Sequence, residues 1–124
     1  MSDSSSTIMI VEDDDDTRSM VQLLLEERQY TVIACESGMV ALEKLKTEKP
    51  ALILLDIMMP EMSGYDVLLH LKQKPETQNI PVVMLTAKNS GNDIITGYQH
   101  GADYYIPKPF TTEQLMYGIE LFIN

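Results

Sequence analysis

Leu52-Ile53-Leu54-Leu55-Asp56, followed by Ile57-Met58-Met59-Pro60, is the stretch whose reading decides the fold of this chain. Four apolar residues in a row end on a carboxylate, and a proline soon halts regular structure. A continuous apolar run of this kind reads as a strand covered on both faces, as in a parallel sheet. A charge inside such a sheet is costly unless it is paired. Asp56 therefore belongs at the C-terminal end of its strand, on the rim where open α/β sheets form their sites.

Three other apolar runs end in the same way. Ile8-Met9-Ile10-Val11 leads into Glu12-Asp13, Val82-Val83-Met84-Leu85 into Thr86, and Tyr104-Tyr105-Ile106 into Pro107-Lys108-Pro109. If the strands are parallel, three acids, a hydroxyl and a lysine meet on one rim. A fifth, shorter β-prone run covers Tyr30 to Ala34.

Helical patterns separate these runs. The first spans about Asp15 to Arg28, with Met20, Val21, Leu24 and Leu25 inward and acids in its first turn, where they suit the helix dipole. Ser37 can cap a second through Lys46, with Ala41 and Leu45 on its apolar face. A third covers Tyr65 to Lys72, after a tight loop at Gly64. A fourth, weak one is expected over 88–99, where Ser90, Gly91, Asn92 and Gly97 are poor helix formers. Gly101 suits a left-handed ending for it. Thr111 and Gln114 form a capping box for the last helix, whose inner face reads Leu115, Ile119 and Phe122.

Alternation of strand and helix makes a parallel sheet with right-handed crossovers and helices on both faces. Pro107 places its strand at an edge, because a central strand needs that N–H. With Tyr30–Ala34 as the other edge, the order is 2-1-3-4-5: an α/β, doubly wound, five-stranded sheet. Its switch point lies between the first and third strands, so Asp13 and Asp56 flank the crevice.

Composition narrows the partners. The chain has 124 residues, 44% of them apolar, which suits one domain with a sizeable core. The polar, serine-rich residues 1–6 read as a disordered tail, and 7–124 as the single domain. A net charge of −10 argues against direct contact with nucleic acid or an anionic membrane. No apolar run approaches the ~18 residues of a membrane span. The one cysteine, Cys35, excludes an internal disulfide, fits a reducing cytoplasm, and reads as a small buried residue. The acidic run from Glu12 to Asp16 is no EF-hand, since the required sixth-position glycine is replaced by Arg18.

Glu12, Asp13 and Asp56 crowded together must take up protons or bind a cation. All-oxygen ligands suit Mg²⁺, or Mn²⁺ in its place. With Lys108 and Thr86 added, the rim suits a tetrahedral dianion. Asp56 can attack phosphorus and become an acyl phosphate.

At this point the chain resembles the receiver domain of two-component response regulators, the chemotaxis-regulator-like, flavodoxin-like fold. The resemblance covers about Thr7 to Phe122. It rests on Ile10-Val11-Glu12-Asp13-Asp14, on Leu54-Leu55-Asp56-Ile57-Met58-Met59-Pro60 with Met62-Ser63-Gly64, on Leu85-Thr86-Ala87, and on Gly101 to Phe110. It implies a phosphorylation-activated signalling switch, with phosphoryl accepted on Asp56 from a phosphohistidine of a sensor kinase or phosphotransfer protein. By the same resemblance, Asp13 binds the metal directly, Glu12 mainly through water, and Met58 through its backbone carbonyl. Thr86 and Lys108 contact the phosphoryl group. Thr86 and Tyr105 form the switch pair, and Lys108–Pro109 is cis. Glu12 stands where Asp is commoner. Met58 and Lys88 occupy positions that tune the phosphoryl lifetime, and an apolar Met58, offering nothing to orient water, suits slow loss.

The downstream partner or output domain is expected on the face formed by 88–99, 104–106 and 111–123. A phosphohydrolase of the haloacid-dehalogenase type also uses a strand-end Asp, but it places a second Asp where Met58 stands here. Catalysis is therefore expected only of the chain's own phosphorylation and dephosphorylation. A phosphorylation-independent interaction module would not need Asp56, Thr86 and Lys108 together.

Overall fold

Leu52–Asp56 forms β3, the middle strand of a five-stranded parallel sheet in the computed structural model, which describes residues 6–87 and 101–123. The other strands are β1 (Thr7–Val11), β2 (Thr31–Cys35), β4 (Val82–Thr86) and β5 (Tyr104–Pro107). Their order is β2-β1-β3-β4-β5, as the alternation predicts. Register is continuous across the sheet: Val11 pairs with Leu55, Asp56 with Leu85, and Thr86 with Pro107. The C-terminal residues of four strands are thereby brought level. β2 lies one residue later than Tyr30–Ala34, and Thr31 N donates to Ser6 O at its start.

Four described helices cover the sheet: α1 (Asp15–Glu27), α2 (Gly38–Lys44), α3 (Gly64–Lys72) and α4 (Thr112–Glu120). The helix expected over 88–99 lies outside the described residues. The strand period of two splits each apolar run between two core layers. Met9, Val11, Ile53, Leu55 and Met84 pack with Val67, Leu68 and Leu71 of α3 and Ala41 of α2. Ile8, Ile10, Leu52, Leu54, Val83 and Leu85 pack with Val21 and Leu25 of α1 and Leu115 and Ile119 of α4. Every residue of β3 and β4 is buried, which is why their sequences do not alternate.

Two inward assignments are corrected. Met20 is 47% exposed, because at 100° per residue it falls well outside the arc set by Val21, Leu24 and Leu25. Phe122 is 37% exposed and Ile123 enters the core instead. Regular helix stops at Glu120, so the 3.6-residue phase behind that reading no longer applies.

The caps follow side-chain chemistry. Ser37 caps α2, and Thr111 with Gln114 forms the capping box of α4, both as expected. Ser63 and Asp66 form a second capping box on α3, and Asp14 caps α1 through Thr17. Gly64 is fixed by space: a Cβ there would meet the Asp56 carbonyl oxygen at 2.3 Å. Gly101 has φ +104, the left-handed geometry that favours glycine. The Lys108–Pro109 bond is cis, as the resemblance implies.

Candidate functional site

The rim is assembled by backbone bonds at the strand ends. Glu12 N donates to Cys35 O (3.0 Å), Ile57 N to Leu85 O (3.1 Å) and Lys108 N to Thr86 O (2.6 Å). Gly64 N donates to Ile57 O (2.9 Å) and folds the start of α3 back onto the end of β3. These bonds carry Glu12, Asp56, Thr86 and Lys108 into one crevice.

Carboxylate oxygens of Glu12, Asp13 and Asp56 all lie within 4.8 Å of one another. Glu12 and Asp56 are buried and Asp13 is exposed. Lys108 Nζ donates to Glu12 Oε1 (2.7 Å) and Asp56 Oδ1 (3.1 Å). Asp14 N donates to Glu12 Oε2 (3.2 Å), and Arg18 Nη1 to Glu12 O (2.9 Å). Glu12 thus reaches the lysine directly.

The electrostatics follow from this crowding. Burial, then the charge of Glu12, pushes the Asp56 carboxyl up to about 7, against the opposing pull of Lys108. Burial works against the Lys108 ammonium, yet its bonds and charge contacts with Glu12 and Asp56 outweigh that and raise its pKa. Asp14 is lowered by the Thr17 hydroxyl and amide it accepts from. Burial pushes the Cys35 thiol up to about 11, in keeping with a buried, unreactive sulfur.

A divalent cation fits this donor set. Three carboxylates face one ammonium and all offered atoms are oxygen, so the cluster carries an excess of negative charge that a cation would relieve. The structure brings together Glu12, Asp13, Asp56 and Lys108 directly, with Thr86 buried at the end of the neighbouring strand. The Met58 side chain stands out from the following loop, 56% exposed. Tyr105 lies in the core layer beneath α2 and α3, its hydroxyl 3.0 Å from that of Tyr65. Sequence reasoning missed Arg18 and Tyr65. Arg18 carried a faint signal, its i,i+3 spacing from Asp15, with which it pairs. Tyr65 carried none, because its partner is 40 residues away.

A doubly wound α/β domain with an acidic, lysine-bearing crevice at its switch point defines a class: small phosphoryl-accepting switch domains. Comparison with known proteins makes the assignment specific. Residues 8–120 match the response regulator receiver domain, and the chain belongs to that family.

Among similar proteins, the phosphate regulon transcriptional regulatory protein PhoB of Escherichia coli (strain K12) is 41% identical over 103 residues, 83% of this chain and 45% of that protein. The alkaline phosphatase synthesis transcriptional regulatory protein PhoP of Bacillus subtilis is 40% identical over 97 residues, 78% of this chain and 40% of that protein. The chain thus spans less than half the length of these relatives. A response regulator structure from Chloroflexus aurantiacus superposes with a TM-score of 0.90 at 32% identity, covering 95% of this chain and 97% of that one. The Vibrio cholerae chemotaxis protein CheY4 gives 0.92 at 26% identity, covering 96% and 99%. The cluster of Glu12, Asp13 and Asp56 is the acidic site typical of receiver-domain phosphorelay switches, and it is able to coordinate a divalent metal. Receiver architecture supports catalysis of the domain's own phosphorylation and dephosphorylation. No helix among the described residues is long and apolar enough to cross a membrane.

Proposed function

We propose that residues 7–124 are a cytoplasmic receiver domain and that Asp56 is its phosphoacceptor. The observation that carries this reading is the Lys108 ammonium, held 3.1 Å from Asp56 Oδ1 and 2.7 Å from Glu12 Oε1. An Asp56 oxygen attacks the phosphorus of a phosphohistidine on a kinase or phosphotransfer protein. The O–P bond forms as the P–N bond breaks, and the imidazole leaves with the bond's electron pair. Lys108 and the Thr86 hydroxyl bind phosphoryl oxygens, and transfer releases the ammonium from part of its pairing with Asp56. Asp13 and Asp56, the Met58 carbonyl, and Glu12 in support would hold Mg²⁺ or Mn²⁺. Such an ion supplies charge neutralisation at the reacting oxygens. Met58 offers no group to orient an attacking water, which favours slow hydrolysis of the acyl phosphate.

The signal leaves through the 88–123 face, toward a downstream protein or output domain. Its described part includes a groove of about 340 Å³ between β5 and α4, lined by Tyr104, Tyr105, Ile106, Pro107, Glu113, Gln114 and Tyr117. Incubation with Mg²⁺ and acetyl phosphate should add one phosphoryl mass to the protein. Asp56→Asn should abolish the adduct, and Asp13→Ala should abolish it with loss of Mg²⁺ affinity. A full-strength adduct on the Asn variant, or one mapping to Asp13 or Asp66, overturns the assignment.

A further inference from the structure

The Tyr65–Tyr105 hydroxyl contact joins α3 to β5 across 40 residues of sequence. Tyr65 is the second residue of α3, and the start of that helix is fastened to the acceptor strand by the Gly64 N to Ile57 O bond. There is no room for even a Cβ between Gly64 and the Asp56 carbonyl, so Tyr65 moves with that loop. Tyr105 is on β5, in register with Met84 of β4 and three residues before Lys108. Its ring is buried in an otherwise apolar layer that includes Val82, Met84 and Ala102. A phenolic hydroxyl in such surroundings is costly unless it is hydrogen-bonded. The Tyr65 hydroxyl, 3.0 Å away, supplies one such bond.

We propose that Tyr65 is a positioning residue for the switch. Its hydroxyl anchors the Tyr105 ring inward and ties the β3–α3 loop, which follows Asp56, to β5. The proposal rests on the reading of Thr86 and Tyr105 as the pair that responds to phosphoryl. The contact exists only while Tyr105 is turned in, so it favours the inward ring before any phosphoryl arrives. A ligand that requires the inward ring binds with an apparent affinity scaled by the population of that arrangement. This chain therefore sets part of its readiness to activate through Tyr65, a residue that does not line the acidic crevice.

The test uses beryllofluoride, a phosphoryl mimic, together with Mg²⁺ and a 3-fluorotyrosine placed at position 105. Tyr65→Phe should weaken beryllofluoride binding by up to about 12-fold, the most that one neutral hydrogen bond is worth, and by less the more fully the ring is already inward. It should leave Mg²⁺ affinity without the mimic unchanged and shift the fluorine signal at 105. In otherwise unlabelled protein, Tyr105→Phe removes the hydroxyl whose burial needs the bond, so Tyr65→Phe should have no further effect on that background and the double variant should bind like Tyr105→Phe alone. Wild-type affinity with an unmoved fluorine signal in Tyr65→Phe overturns the proposal, as do fully additive losses in the double variant. If the unmutated protein does not bind beryllofluoride at all, the phosphoryl-switch reading falls. The fluorine signal then decides by itself whether Tyr65 anchors Tyr105.

Discussion

Asp56 is 3% exposed and shares its crevice with two other carboxylates and one ammonium at close range. Burial and Glu12 raise its pKa to about 7, while Lys108 lowers it. Each contribution has a removable source. In metal-free protein, the Asp56 carboxyl carbon, followed by NMR, should titrate far above the usual carboxylate range. Glu12→Gln should move the midpoint down, because a repelling charge is gone. Lys108→Met should move it up, because the attraction is gone and burial is left unopposed. A midpoint that ignores both substitutions would mean that Asp56 is not in the electrostatic company described. The same crowding explains why a cation suits the site: it stabilises the ionised form of Asp56, which is the nucleophilic form.

At the scale of elements, the loop from Asp56 to Gly64 is held by the N-terminus of α3. Ser63 Oγ accepts from Asp66 N (3.3 Å), and Asp66 Oδ2 accepts from Ser63 N (3.0 Å). Ser63→Ala should cost about 0.5–2 kcal/mol in urea unfolding, and it should also slow phosphorylation by acetyl phosphate. Ser37→Ala, which removes a similar cap from α2, should cost a comparable amount of stability and spare the rate. Equal rate losses from both would show that the α3 cap has no special tie to the acceptor loop. This box was illegible in the sequence because its third helical residue is Asp66, where the usual capping box has Glu or Gln. The four strand ends were legible, since an apolar run that stops at Glu12, Asp56, Thr86 or Lys108 declares both a strand and its rim residue. Parallel topology then brought those residues together without any tertiary information. Met20 and Phe122 were misplaced because periodicity fixes an arc but neither its width nor where the helix stops. The Tyr65–Tyr105 pair was illegible because nothing local at either residue encodes a contact between α3 and β5.

For the whole molecule, the acidic crevice makes stability depend on pH and on metal in opposite senses. The folded-state pKa of Asp56, about 7, lies above the ordinary aspartate value of 3.8. Between those values the native state holds a proton that the unfolded state has released, so stability falls as pH rises through this window. Asp14, with its pKa lowered, contributes stability that is lost only as pH falls below the ordinary aspartate range. Lys108, with its pKa raised, contributes stability that is lost only as pH climbs past the ordinary lysine range. Neither interferes between pH 5 and 7.5. A divalent ion binds the ionised cluster of the native state and stabilises it by mass action, about 2.7 kcal/mol at one hundred times the dissociation constant. Its effect should grow as pH rises, because it no longer competes with the Asp56 proton. Urea midpoints measured at pH 5 and 7.5, in EDTA and in Mg²⁺, test both halves. In EDTA the midpoint should be lower at pH 7.5 than at pH 5. Mg²⁺ should raise it at pH 7.5 and much less at pH 5. Asp56→Asn, which cannot ionise, should flatten the EDTA slope and remove most of the Mg²⁺ gain. An EDTA slope of the same size in Asp56→Asn would place the titrating group elsewhere. A Mg²⁺ gain equal at both pH values would separate the metal from the Asp56 proton.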